Sequence, residues 1–339
     1  MIQVKYMGKT ALAFLSALVI LSITGSGQDQ AVQSRVTFPD HNLEAAIRDA
    51  INKPEGPIIV SDLERVKSLR LSHYNITDIS PLSKFTNLKS LDLSYNKITD
   101  VSSLSRLTNL KELYLGNNEI KDVSPLSGLT NLTELYLESN QITDVSPLSG
   151  LTNLTKLFMW SNRITDISPL SGLVNLKKLY LPNNQVKDVS SLSGLTNLTN
   201  LTGLDLGNNQ ITDISPLSGL TNLTSLDLGN NQITDITPLS GLTNLTNLVL
   251  DVNPITDVSP LSELTNLKDL NPWGDQITDV SPLSGLTNLT DLDLACNQIK
   301  DVSPLLGLTN LTYLVLLDNP ITDVSTLSEI ERQDLMISW

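Results

Sequence analysis

The sequence predicts an α/β solenoid. Short coils stack with a concave parallel β-sheet on one side and an irregular or 3-10 convex side on the other, behind a small helical N-terminal cap. Three observations carry this. The frame Leu91-Asp92-Leu93-Ser94-Tyr95-Asn96-Lys97-Ile98-Thr99-Asp100-Val101 returns at Asn118, Asn140, Asn162, Asn184, Asn209, Asn231, Asn253, Asn297 and Asn319. Two further copies carry Tyr74 and Asp275 at the Asn place, which makes twelve copies spaced by 22 residues, or by 25 between Asn184 and Asn209. Aromatics are only 4% of the 339 residues, so leucine must fill the interior.

Each element follows from the repeat. In Leu91-Asp92-Leu93 a period of two puts both leucines on one face and Asp92 on the other. Ile98, Val101, Leu104, Leu107 and Leu110 complete the inward set as the chain rounds the back. Ser-Pro pairs such as Ser124-Pro125 suit the convex side, where no sheet ladder needs the missing N–H. The Asn column turns inward, where its amide satisfies backbone groups; an unsatisfied buried group costs about 1–3 kcal/mol, so one register is favoured. Together these features identify a leucine-rich repeat. Such coils bury apolar surface only against their neighbours, so the ends matter.

At the N-terminus, Lys5 and Lys9 precede an apolar run from Ala11 to Ile23 and the small residues Thr24-Gly25-Ser26-Gly27. That order reads as a secretory signal peptide over 1–27, the apolar run being shorter than the about 20 residues of a membrane span. An uncleaved anchor is the alternative. Residues 28–66 read as a linker and cap. Pro39-Asp40-His41-Asn42 is a helix start, with Leu43, Ala46, Ile47, Ala50 and Ile51 as the apolar stripe. A second short helix is expected from Ser61, as N-cap, to Val66. Residues 67–327 hold the repeats and 328–339 form a tail. For the tail three outcomes are open: Ile330, Leu335, Met336 and Ile337 fold back as a lid, the open end self-associates, or the chain is a fragment of a larger surface protein.

Composition excludes several function classes. The formal charge is −14, and it becomes −16 without Lys5 and Lys9, which argues against nucleic acid and anionic membranes as partners. One cysteine allows no intrachain disulfide, and two histidines leave little for a metal site or triad. No nucleophile elbow, zincin, phosphate-loop or C-x-x-C motif occurs. The expectation is a non-enzymatic protein without a cofactor, with no integral membrane domain in its mature chain.

The signal segment, the helical cap over Phe38 to Lys53 and the motif N-x-I-T-D-I-S-P-L at Asn162 to Leu170 together resemble the internalin family of bacterial surface proteins, over residues 36–327. The resemblance implies an exported protein, secreted or at the bacterial cell surface, that binds a host or surface partner through its concave face. Internalins usually add an immunoglobulin-like module, and many an L-P-x-T-G anchor; neither occurs in this sequence. The same repeat class is found in an intracellular regulatory subunit of protein phosphatase one, so a non-catalytic scaffold for a partner enzyme is the rival reading. The signal segment speaks against it.

Recognition in a repeat protein lies in its variable outward positions. The central strand position reads Tyr114, Tyr136, Phe158 and Tyr180 in four consecutive copies, with Trp160 beside them: five of the fourteen aromatics. Glu112, Glu134, Glu138, Lys156 and Lys178 flank them. Four strands at ~4.8 Å make a strip of ~15 Å, enough for a peptide or short glycan. Exposed aromatic patches mark binding sites, so a protein or glycan ligand is expected here; cross-strand stacking that merely stabilises the sheet is the competing reading. On the first reading, Tyr136→Ala with Phe158→Ala removes binding at little cost in stability. A second outward group, Asp205, Asp227, Asp251, Asp269, Asp291 and Asp293, is read as a solvated face before a site for a basic partner. The stricter column, Asp78 through Asp323 in all twelve copies, is read as turn capping before a calcium ladder. It supplies −12 of the charge, so the acidity by itself names no basic partner. The Asn-Leu-Thr sequons at Asn131, Asn153, Asn222 and Asn288 come with the consensus. Cys296 is expected to be inert, the insertion after Asn184 to be a small bulge at the rim, and the tenth copy, with Pro272, Trp273, Gly274 and Asp275, to be a weak point.

Overall fold

A computed structural model describes residues 35–197, 200–322, 326 and 335–338. The signal-segment reading therefore lies outside the described residues, as do Ile330 and Asp323. The unit from Arg35 onward is built as the repeat dictates. Twelve three-residue strands follow one another: β1 (Ser68–Arg70), β2 (Ser90–Asp92), β3 (Glu112–Tyr114), β4 (Glu134–Tyr136), β5 (Lys156–Phe158), β6 (Lys178–Tyr180), β7 (Gly203–Asp205), β8 (Ser225–Asp227), β9 (Asn247–Val249), β10 (Asp269–Asn271), β11 (Asp291–Asp293) and β12 (Tyr313–Val315). They pair in parallel and in sequence order. The central residue of each is a buried leucine, so the interior is one continuous leucine column from the cap to the last coil. Short 3-10 segments such as Ser124–Leu126 form the opposite side, with Pro at the start of most.

The Asn column locks adjacent coils. The Asn118 Nδ2 donates to the carbonyls of Leu93 and Leu115 at 3.0 Å, while its Oδ1 accepts the Ile98 N–H at 3.0 Å. The same geometry recurs from Asn96 to Asn319. A second ladder runs beside it, unrecognised in the sequence. Asn131, Asn153 and Asn288, from the T-N-L-T stretch, donate Nδ2 to carbonyls 23 residues earlier at 2.8–2.9 Å. The sequons are thus explained by coil-to-coil bonding. The residue before the ladder Asn sits in the left-handed region in coil after coil, including Tyr95, Val252 and Cys296. A β-branched Val252 at φ 55 is strained there, and its N–H is held by the Trp273 carbonyl at 2.7 Å.

The cap differs from expectation in detail. Helix α1 (His41–Ala50) starts as expected, with the Asp40 carboxylate accepting from Asn42 N and Leu43 N. Leu43, Ala46 and Ile47 are buried, but Ala50 is exposed, because the helix ends there and turns away. Helix α2 (Val60–Leu63) begins one residue before Ser61; Ile59 is its N-cap, and the Asp62 carboxylate accepts the Ile59 N–H at 3.0 Å.

β12 is not the last strand of the sheet. A further strand, β13 (Met336–Ser338), pairs with it in parallel, Tyr313 opposite Met336 and Val315 opposite Ser338. Leu335 is buried beneath. Of the residues expected to fold back, Leu335, Met336 and Ile337 lie on or beside this strand, so the chain itself covers the β12 edge. The three-residue insertion also lies elsewhere than expected. The strand register runs through unbroken, Lys178 opposite Gly203, and the extra length enters a 3-10 segment, Ser190–Asn197, on the convex side.

Candidate functional site

Tyr114, Tyr136, Phe158 and Tyr180 stand in register on β3 to β6. Strand spacing and ring size then force contact. Tyr114 and Tyr136 stack with centroids 4.4 Å apart and planes at 19°. Tyr136 to Phe158 is 4.7 Å and Phe158 to Tyr180 is 4.8 Å, both tilted. Trp160 reaches Phe158 at 5.9 Å. All five aromatics are thus brought together. They are less open than the sequence implied: Phe158, the middle ring, is only 8% exposed and the others are intermediate. Removing Phe158 therefore costs stability, contrary to the expectation that it could be truncated freely.

The flanking charges are organised around Glu134. Its Oε1 pairs with Lys156 Nζ at 2.9 Å and its Oε2 accepts the Tyr136 hydroxyl at 3.0 Å. Burial and that carboxylate push the Tyr136 phenol far above its ordinary range. Glu112 accepts from Ser90 Oγ at 3.0 Å, and Lys178 is exposed. The Glu138 side chain lies across Gly116, where a Cβ would collide with its carboxylate. Burial raises that carboxyl too.

The sheet changes character at β7. Asp205 and Asp227 face the concave side, and the Asp227 and Asp251 carboxylates lie over Gly207 and Gly229, which have no side chains to exclude them. Burial, together with Asp227, raises Asp205 to about 6, against a hydrogen bond from Gly207 N. Burial also raises Asp227, Asp251 and Asp269. Among the described residues none of these carboxylates has an ion-pair partner; Lys156–Glu134 is the one ion pair of the concave sheet.

Sequence reasoning missed a second aromatic group at the N-terminal rim. His73 stacks on Tyr95 with centroids at 4.3 Å and planes at 12°, and Tyr95 is 53% exposed. Both sit at left-handed backbone positions. The signal was available: two rings, 22 residues apart, occupy the same place in consecutive copies.

The strict Asp column caps turns. The Asp122 and Asp144 carboxylates accept the N–H of Ser124 and Ser146 at 2.8 Å, and their second oxygens accept the serine hydroxyls. The pattern holds from Asp78 to Asp301. Hydrogen bonds from Ser124 hold Asp122 below its ordinary range. The backbone bond is common to these copies and the hydroxyl bond is added in some, such as Asp213, Asp257 and Asp279, so each carboxylate is engaged within its own turn. The melting temperature at pH 7 is expected to be indifferent to a chelator; a fall of several degrees would restore the calcium reading.

A family model described as "Leucine Rich repeats (2 copies)" matches residues 64–106, 108–150, 130–172, 152–194, 199–241, 274–307 and 287–329. Among solved structures, the chain is similar to the internalin InlF of Listeria monocytogenes, with 37% identity, a TM-score of 0.78, and 88% of this chain and 95% of that one covered. It is similar to the internalin C2 of the same organism at 41% identity and a TM-score of 0.58, covering 63% of this chain and 94% of that one. The Arabidopsis receptor kinase HAESA, solved in complex with the peptide hormone IDA and the co-receptor SERK1, matches at 26% identity and a TM-score of 0.60, over 71% of this chain and 43% of that one. No match is found among curated proteins. Among the described residues no helix is long and apolar enough to cross a membrane.

Proposed function

Since the chain belongs to the leucine-rich repeat family and, within it, to the internalins, we propose that it is an exported bacterial recognition protein that binds a protein partner through the concave strip of Tyr114, Tyr136, Phe158, Trp160 and Tyr180. The observation that carries the reading is the stacked ladder itself. Aromatic faces held rigid by their neighbours lose little entropy on contact, which is what binding hot spots require. Glu112, Glu134, Lys156 and Lys178 then form its polar rim. The HAESA complex supports a peptide or protein ligand for this scaffold type. The carboxylates of β7 to β9, desolvated and without counter-charges among the described residues, favour a partner that places positive charge there. The positive leader residues Lys5 and Lys9, followed by Ala11 to Ile23, support export.

The test uses the two ends of the stack, because each touches one neighbour. Wild type and Tyr114→Ser/Tyr180→Ser are screened on proteome and glycan arrays. The expected result is a protein ligand whose affinity falls at least about tenfold in the variant. Each lost end contact costs about 0.5–1.5 kcal/mol of stability, so the variant still folds. A ligand bound equally by both proteins would remove the strip from the reading, and a signal confined to glycans would replace the protein partner. Fractionation with N-terminal sequencing tests export: a cytosolic chain beginning at Met1 would sink it.

A further inference from the structure

The tenth coil carries a carboxyl where the ladder needs an amide. Asp275 is in register with the Asn column and only 5% exposed. Its Oδ1 accepts the Asn253 N–H, 22 residues back, at 2.7 Å, whereas the ladder amide oxygens of the adjoining coils take the N–H 20 residues back, Ile233 for Asn253 and Ile277 for Asn297. Its Oδ2 is buried with no hydrogen-bond partner among the described residues. In the neighbouring coils the atom at that place is a donor. Asn253 Nδ2 gives to the carbonyls of Leu228, Leu250 and Asp251, and Asn297 Nδ2 to those of Pro272, Leu294 and Ala295. These partners lie 25, 3 and 2 residues back, so a donor on the Asp275 side chain would have the carbonyls of Leu250, Pro272 and Trp273 as its partners in that register. An ionised carboxylate would set lone pairs against lone pairs. A cation does not resolve this. The ladder donors approach carbonyl oxygens at 2.6–3.4 Å, which leaves room for a hydrogen atom between two heavy atoms. An ion needs its own site about 2.3–2.6 Å from every oxygen.

We propose that Asp275 is held in the folded protein as the neutral acid, its O–H donating into the carbonyls of coils nine and ten, so that a proton replaces the missing amide and keeps the joint between coils nine and ten closed. The joint on the other side of coil ten, to coil eleven, is the thinnest in the sheet, so coil ten depends the more on its contact with coil nine. Pro272 has no N–H to give to the next strand, and β10 and β11 pair at only two positions, Asp269 with Asp291 and Leu270 with Leu292, where the other neighbours pair at three. The charged group acting on Asp275 from coil nine is Asp251. Coil eleven presents the neutral Asn297 at the ladder, with Asp293 on its strand and the Cys296 thiol beside it. None of these is a cation. Burial and Asp251 push the Asp275 carboxyl to about 8, against the Asn253 hydrogen bond.

In the unfolded chain the group ionises near 3.8. Between about 4 and 8 the folded state therefore holds a proton that the unfolded state has released, and stability falls as pH rises through that window, then levels off.

The experiment compares wild type with Asp275→Asn, which restores the amide, at pH 5, 7, 8 and 9. The melting temperature of the variant is expected to exceed that of wild type by a margin that grows several degrees between pH 5 and 8 and is constant above. The wild-type carboxyl ¹³C signal that vanishes in Asp275→Asn should titrate near pH 8. Amides of Asn253, Ile255 and residues 274–277 should exchange more slowly in the variant. A margin that does not change with pH, or a carboxyl signal titrating below pH 5, would overturn the proposal. So would the same growing margin in Asp279→Asn, which removes an equal charge from an exposed turn.

Discussion

Asn162→Ala is expected to destabilise the solenoid by about 3–4 kcal/mol in urea unfolding at pH 7. The side chain accepts the buried Ile142 N–H at 3.0 Å and donates to the carbonyls of Leu137, Met159 and Trp160. Two of those carbonyls keep another donor, since Asn140 also reaches Leu137 and Asn184 also reaches Met159. The Ile142 N–H loses the bond that Asn162 supplies. Stranding it costs about 1–3 kcal/mol, and the lost donor bonds and vacated volume supply the rest. Because each coil is stabilised only by its neighbours, the unfolding transition should also broaden as coils on either side uncouple. A loss under about 1 kcal/mol would mean that water or a backbone shift replaces the amide, and that the column does not fix the register.

That column, the leucine layer and the Asp caps were legible because each follows from one residue type at one period. A fixed spacing of 22 residues with strands in register leaves them no other arrangement. What failed to be legible depends on contacts between different copies. Alternation places Phe158 outward as firmly as Tyr114, yet Phe158 has rings on both neighbouring strands and Trp160 at its edge, so it is covered. The strand Met336–Ser338 has no leucine frame to announce it, and its pairing comes from the open edge of β12. Ala50 lies on the stripe of α1 but beyond the point where the helix leaves the core. The insertion was placed at the rim because the sequence shows where residues are added, not which side of a coil can absorb them; a 3-10 segment lengthens without disturbing the ladders, a strand in register does not. For the concave face, sequence spacing was enough to bring the five aromatics together. The unpaired carboxylates over Gly207 and Gly229 needed the structure, because their desolvation comes from glycines one copy earlier.

Asp40→Ala should loosen the whole N-terminal cap, at a cost of about 2–3 kcal/mol at pH 7. One carboxylate there closes two structures. Its Oδ1 accepts Asn42 N and Leu43 N at the start of α1, and its Oδ2 accepts Thr77 N, the Thr77 hydroxyl and Asp78 N of the first coil at 2.7–3.2 Å. Burial disfavours the charge, but these donors outweigh it and hold the carboxyl at about 2. The folded value lies below the unfolded one, so the stabilisation is complete above about pH 4 and is lost as pH falls toward 2. Solvent screening reduces the ionic part to about 1–2 kcal/mol. Asp40→Asn keeps an acceptor without the charge, so it should melt below wild type at pH 7 and close on it only as pH falls to about 2. Asp40→Ala should stay below both. Hydrogen exchange should locate the damage in α1 and β1, since the cap covers the first leucine layer at Leu69 and Leu71. Equal melting of Asp40→Asn and wild type at pH 7 would show that the neutral hydrogen bonds alone join the cap to the repeats.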